Sequence, residues 1–547
     1  MAACGLVFVA VGTEIGAAVA AGVVAAAPAH ADTAPHSGTP ATVSADALPT
    51  VQINGVVWSQ VTVGTTVYAT GSFTSARPAG SPAGTNETPR ANLLAYNITT
   101  GKLITSFNHV LNGQGLFVTV SPNGSRIYVG GDFTKVDGQS HQHIAAFSTA
   151  DGSLVSTFKA GTNSTVDALA VTDSTVYAGG IFTAALGSNR LRLAAFAVST
   201  GALLTWAPTA DDHKVTALLM TPDRSRIIVA GKFTTINGLR AYGLGALDPV
   251  TGVLLPWAAT TVVRDGGLNA GISSLRTDGH QIYGTGFVFG GGGNLEGSFA
   301  ADPDSGQIHW VEDCHGDSYD TFPTGGVLYV VSHAHYCGTI GGFPQTSPET
   351  FHRATAFTTA TTGIITHNPY SGYADFAGKP DPTLLDWFPT LTAGTFTGQV
   401  QAGWSVTGGG GYISIGGEFP KVNEAAQQGL VRFAVRSIAP NKVGPKYSAA
   451  LTPTLVSPAA RTVRVSWTTT YDVDNQALTY KVVRDGKTAS PVHTVTVNST
   501  FWSTPTVSFT DTGLTPVSTH RYRIYVYDPL KNSTVGSTRS VTVSAAH

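Results

Sequence analysis

The sequence predicts an all-β protein, a seven-bladed β-propeller followed by a β-sandwich, and three observations lead there. The first is a phrase that returns along the chain. It reads Tyr128-Val-Gly-Gly-Asp-Phe133-Thr134, Tyr177-Ala-Gly-Gly-Ile-Phe182-Thr183 and Ile228-Val-Ala-Gly-Lys-Phe233-Thr234, with an earlier copy at Tyr68 to Thr74 and a late one ending Gly416-Gly417-Glu418-Phe419. Two worn copies carry Val288 and Ala334 where Phe is expected. A unit of about 50 residues built of strands and glycine turns is a propeller signature. The second is composition: charged residues are 12% against a usual ~25%, and Gly is 63 of 547, as many tight turns between strands require. The third is a count of turns, taken below.

Taken in order, residues 1–31 read as a signal peptide. Residues 15–27 form an apolar stretch, and Ala29-His30-Ala31 matches the cleavage pattern. A positive n-region is missing and Glu14 interrupts the run, defects that a misplaced start codon would explain. No later stretch holds eighteen apolar residues in a row, so no membrane span is expected in the mature chain. Residues 32–47, rich in Pro, Thr, Ser and Ala, read as a flexible lead-in.

The propeller is expected over 48–438, each unit holding four strands. In the third unit these are 165–171, 175–182, 193–198 and 202–208. Turns between first and second strands lie near Gly64, Gly124, Ser174, Asp223, Gly279, Gly325 and Gly409, which makes seven. Outer turns at Thr100-Gly101, Asp151-Gly152, Thr200-Gly201, Thr251-Gly252, Ser305-Gly306 and Thr362-Gly363 make only six. The missing outer strand is expected from residues 50–54, paired with 430–435, so that exchange between the chain ends removes an open sheet edge. The Asp137-Gly138 and Asn237-Gly238 pairs read as hairpin turns, not calcium ligands. An insertion at 370–399, rich in aromatics, reads as a flap packed on the ring.

Residues 439–452 form a linker, and 453–547 alternate as the strands of a sandwich. Pro453, Trp467 on an early strand and Leu514-Thr515-Pro516 leading to Tyr522 make this segment resemble a fibronectin type III domain. The resemblance implies a spacer or adhesive module on a secreted carbohydrate-active protein. The repeats resemble the Gly-Gly-x-Phe-Thr propeller repeats of large secreted bacterial proteins of unknown function, a likeness specific for fold and nearly silent about activity.

With Cys4 in the leader, the mature chain holds Cys314 and Cys337, an even pair that reads as a disulfide in an exported protein. The hairpin of 318–322 with 328–332 carries the two cysteines opposite each other just beyond its strands. Around them stand His315, Asp317, His333, His335, Tyr336 and His352. These read as polar loop residues about a structural bridge; the alternative is a zinc or copper set from His315, His333, His335 and His352. No cofactor is committed. A second candidate is the residue before each landmark: Ser72, Asp132, Ile181, Lys232, Phe287, His333 and Glu418, which changes chemistry at every copy, as recognition of an asymmetric ligand would use. Aromatic Tyr370, Tyr373, Trp387 and Trp404 add ring faces suited to sugars.

A net charge of −2 with no basic run argues against nucleic acid. There is no Gly-x-Ser-x-Gly elbow and no phosphate loop. The expected function is that of a secreted or cell-wall-associated monomer. It would bind extracellular polysaccharide, cell-wall glycan or a surface protein through its rim and flap, with Asp132, Lys232, His333, His335, Glu418, Tyr370, Trp387 and Trp404 as ligand-binding residues. The alternatives are a glycosidase or polysaccharide lyase using carboxylates such as Asp132 and Glu418, and a structural adhesin.

Overall fold

The computed structural model describes residues 38–546; the predicted signal peptide and the start of the lead-in lie outside them. The protein is all-β, 44% strand and 2% helix, with a β-propeller-like arrangement of small antiparallel sheets. Seven first strands anchor these sheets: Val56–Val63, Gly115–Val120, Val166–Val171, Val215–Met220, Ala270–Thr277, Ser318–Thr324 and Gly403–Gly409. Each packs beside the next, and Gly403–Gly409 packs beside Val56–Val63. Second and third strands follow outward, as in Thr175–Gly180 and Leu193–Ala197. The fourth position holds a strand in two sheets, Leu254–Leu255 and Ile308–Glu312, and single bridges elsewhere, such as Phe196 to Leu203.

The repeated glycine pair has a packing reason. A Cβ at Gly179 would stand 2.5 Å from Val215 on the next sheet, and one at Gly180 would stand 2.2 Å from the Thr165 carbonyl. The first glycine thus lets sheets close on one another, and the second lets the first strand bend. Gly416 meets Val57 in the same way, so the last sheet approaches the first as closely as any other pair. The landmark side chains Phe133, Phe182, Phe233 and Phe419 are buried between sheets. After each comes a tight hairpin. Asp137 and Gly138 have φ of 51° and 78°, and Asn237 and Gly238 have 52° and 74°, the backbone of the expected hairpin turns.

Closure involves the chain start, but not at the expected residues. Ser44 and Leu48 donate from their backbone N–H to Ala434 and Arg432, and Leu48 bridges Arg432. Residues 50–54 instead form their strand pairing with Ser75–Arg77 through Gln52–Ile53, and they touch the chain end by separate bonds, Ile53 N–H to the Gln428 carbonyl and Gln427 and Arg432 to Thr50. The lead-in is therefore ordered from Val43 onward: Val43 and Ala45 are buried, because small apolar side chains complete the last sheet's outer face. The sixth outer turn also differs. Gly363–Ile364 pairs with Pro380–Asp381 in its own ribbon, and the chain returns to bridge Phe357 only at Leu384, inside the predicted insertion.

The C-terminal region is a sandwich of a three-stranded and a five-stranded sheet. Trp467, Tyr480 and Tyr522 fill its core. The Tyr522 hydroxyl donates to the Asp511 carboxylate (2.8 Å), which Arg484 also holds (2.7 Å), where a tyrosine corner would use a main-chain oxygen. The sandwich does not hang from a free linker: Tyr471, Val473, Phe501 and Trp502 pack onto Phe343 and Phe388 beside the ring. Among the described residues no helix is long and apolar enough to cross a membrane.

Candidate ligand site in the central channel

Every first strand carries one β-bulge against its second strand, and the bulges fall at corresponding points. A bulge adds a residue and re-aims a side chain. The seven residues so placed are Trp58, Leu116, Asp167, Thr216, Ser273, Tyr319 and Trp404, and all seven line one cavity of about 580 Å³. The channel wall is thus written by one position per repeat. Sequence reading missed it, although a signal was present: the bulged residue stands fifteen positions before the landmark in five copies, from Trp58 before Phe73 to Trp404 before Phe419, and seventeen in the other two.

The wall has two chemistries. Tyr319, Trp404 and Trp58 come from three consecutive sheets and pack as neighbours, with ring centroids 4.3 Å and 5.1 Å apart. Their polar edges are tied back: Trp58 Nε1 donates to Gln114 (2.9 Å), Trp404 Nε1 to Glu418 (3.1 Å), and the Tyr319 hydroxyl bonds His333 Nδ1 (2.9 Å). Held at their edges, the rings can offer their faces. Phe117, Phe287 and Phe289 add apolar surface. The other arc is polar, with Asp167, Thr216, Ser273 and Ser274. Asp167 lies 3.4 Å from Lys214, and its second carboxylate oxygen is buried without a partner. Burial raises its pKa, with Lys214 opposing. Arg276 grips Asp320 through two bonds, 3.0 Å and 2.7 Å, fixing one more charge pair in the wall.

The predicted residues divide. Asp132, Trp404 and, from the same rim series, Ile181 and Phe287 line the cavity. Asp132 is held by Gln114 (2.6 Å) and Thr165 (2.5 Å). Lys232 bonds the Leu268 carbonyl and lies 5.7 Å from the Phe287 ring centre. Glu418 is buried and accepts from Thr397 and Trp404, so it fixes the aromatic wall to the end of the insertion rather than facing a ligand. Trp387 requires correction: it is fully buried, edge-on to Tyr329 and Phe433, because the insertion needs a core of its own against the outer sheets. The insertion is not one flap. Its start puts Tyr373 on His315, its middle buries Trp387 and Phe388, and its end sends Gln399 to the channel.

Cys314 and Cys337 are disulfide-bonded, Cα atoms 4.1 Å apart. The hairpin register that sets Thr321 opposite Val330 slips by one at the Tyr319 bulge, to Ser318 opposite Ser332, and is regained at His315 opposite Tyr336, the pair just inside the bridge. The nearby imidazoles have mostly different neighbours, although His315 and His335 share Tyr373 and both ring nitrogens of His315 are buried without a hydrogen-bond partner. His315 stacks on Tyr373 with ring centroids 3.8 Å apart, His333 bonds Tyr319, His335 bonds Gln345 (2.8 Å), and His352 stacks on Phe501 (4.5 Å). Among the described residues no three His, Cys, Asp or Glu side chains form a metal-holding group, so the zinc or copper set is not gathered. Tyr370 is 39% exposed and packs edge-on against Tyr336, away from the channel lining.

Burial dominates the titration here. It pushes Asp265, Asp313 and Asp317 up to about 7 and Glu296 and Glu312 up to about 8. It pushes His315 down to about 3 and His333 and His352 down to about 4. Carboxyls with raised folded values favour the fold below about pH 4, and that contribution is lost as pH rises through 7 to 8. Histidines with depressed folded values lose their contribution as pH falls from about 6.5 to their folded values. Five carboxyls outweigh three histidines between these limits. Melting temperature is therefore expected to rise from pH 8 to about pH 5 and to fall again below about pH 4; calorimetry across that range checks it, and a maximum at pH 7 to 8 would contradict it.

No family model matches the chain, and no curated protein matches it. Among solved structures, a chain from the crystal structure of the mitotic checkpoint complex aligns at 11% identity over 74% of this chain and 96% of that one, TM-score 0.41. A chain from the complex of KlAtg21 with the coiled coil of AgAtg16 aligns at 10% identity over 78% and 98%, TM-score 0.33. Likenesses this loose say nothing of ligand or activity.

Proposed function

We propose that the seven sheets are the blades of a seven-bladed β-propeller latched by its N-terminal segment, that the sandwich is a fibronectin type III-like domain, and that the protein is exported and binds an extracellular glycan at the channel mouth without transforming it. The observation that carries the glycan reading is the two-sided wall. A sugar ring has an apolar C–H face and a hydroxyl periphery, and Tyr319, Trp404 and Trp58 stand on one arc while Asp167, Thr216 and Ser273 stand on the other. A structural disulfide suits an oxidising, extracellular location. The hydrolase reading gains nothing from the geometry, since Asp132 and Glu418 are both engaged in holding their surroundings.

A glycan array tests the proposal. Wild type is expected to bind a polysaccharide, and Trp404→Ala to lose at least tenfold in affinity, since one ring's stacking is worth about 0.5–1.5 kcal/mol beyond the area it buries. Binding unchanged by Trp404→Ala would refute it. One observation favours a surface-protein ligand as the second reading. Ile181 and Phe289 at the mouth are 44% and 58% exposed, and Phe396 and Val400, either side of the channel-lining Gln399, are 54% and 57% exposed. Capture of a protein that free oligosaccharide does not displace would favour it.

A further inference from the structure

The junction between ring and sandwich gathers carboxylates for which the surrounding protein supplies too few donors. Asp386 lies just before Trp387. Asp472 and Asp474 lie in the sandwich turn that receives it, where the Phe388 N–H donates to the Val473 carbonyl (2.9 Å). Asp46 comes from the N-terminal segment and Asp528 from the far end of the sandwich. Some are satisfied. Asp474 accepts from Ala45 N–H (2.7 Å) and Asn475 (2.6 Å), and Asp46 accepts from Lys442 and Val443. Asp528 is held by Asn532, which also donates to the carbonyls of Asn441 and Val443.

Others are not. Both carboxylate oxygens of Asp386 are buried without a partner, and so is Oδ2 of Asp472, a residue 1% exposed. The Asn441 side-chain oxygen is likewise buried and unpartnered, while its amide donates to the Arg436 carbonyl (2.7 Å). Arg436 is the cation whose charge reaches Asp386, and it spends two of its N–H groups on Asn475 and the Asp474 carbonyl. Each unpartnered atom is an oxygen acceptor. A buried patch short of donors, with carboxylates repelling one another, is stabilised by a cation that accepts oxygen ligands only.

We propose that the ring–sandwich junction is a calcium site in which Asp386 and Asp472 are the charged ligands and Asn441 contributes its amide oxygen. Two carboxylates and an amide oxygen form a hard-oxygen set, which suits Ca²⁺ and not the nitrogen- and sulfur-seeking metals. Bound calcium would tie the segment before Trp387 to the sandwich turn and fix the sandwich's orientation on the ring.

Calorimetric titration of the chelator-treated full chain with CaCl₂, paired with melting curves, tests this. One equivalent of Ca²⁺ is expected to bind and to raise the melting temperature, as any ligand of the folded state does. Asp386→Asn and Asp472→Asn are each expected to weaken binding tenfold or more and to abolish the shift. Because each removes a buried negative charge, both should fold at least as well as wild type in chelator, which keeps the readout interpretable. No heat and no shift at millimolar CaCl₂, or a shift that survives both substitutions, overturns the proposal.

Discussion

Arg432→Ala is expected to lower unfolding free energy by about 3–5 kcal/mol, as much as any single substitution on the ring. Arg432 sits in the third strand of the last sheet and is buried. Its guanidinium donates to the Pro49 and Ile98 carbonyls and to Thr50 Oγ1, joining the last sheet, the N-terminal segment and the first sheet at one point. Removing it strands two buried acceptors, Thr50 Oγ1 and the Ile98 carbonyl, at about 1–3 kcal/mol each, and a part-buried one at Pro49 that water reaches more easily. Arg432→Lys is expected to recover only part, since a single ammonium cannot span all three acceptors. Chemical denaturation monitored by tryptophan fluorescence checks both. A loss under 1 kcal/mol for the alanine variant would mean that the latch does not hold the chain ends together.

Trp387→Ala and Trp404→Ala are expected to fail in opposite ways. Trp387 is fully buried between Tyr329 and Phe433, and truncating such a core side chain costs about 3–5 kcal/mol. Ligand affinity per folded molecule should stay unchanged. Trp404, half-buried on the channel wall, should cost far less stability and most of the affinity. Denaturation midpoints and binding isotherms on the same preparations separate the two; if Trp387→Ala weakened binding in the folded fraction, the assignment of the site to the channel would be wrong.

Much of the fold was legible because the constraints are local. The Gly-Gly pair and the landmark Phe repeat because each sheet must meet the next at the same spacing, as Gly179 against Val215 demonstrates. The disulfide was legible because hairpin register extends beyond the strands. The ring's latch was misplaced by a few residues: Pro, Thr and Ser around Val43 suggested disorder, whereas small side chains there fill an outer sheet edge. The rim series and Trp404 led to residues that line the cavity, Asp132 among them, whereas the insertion led elsewhere. Aromatics in a long insertion signalled ligand contact, but Trp387 and Phe388 build the insertion's own core. The channel residues were concealed because a bulge shifts the inward-facing position by one, breaking the alternation by which strands are read. Asp386 and Asp472 lie on different parts of the chain, so only folding brings their shared lack of donors together.

The most direct measurement is a tryptophan fluorescence titration with a glycan that the array identifies, on wild type and on Trp58→Phe/Trp404→Phe. A ligand stacked on the channel wall must perturb those two indoles. A saturable change is expected in wild type and is lost in the double variant, although six other tryptophans remain of the eight in the chain. An undiminished change in the double variant would place the ligand elsewhere and contradict the assignment of the site to the channel.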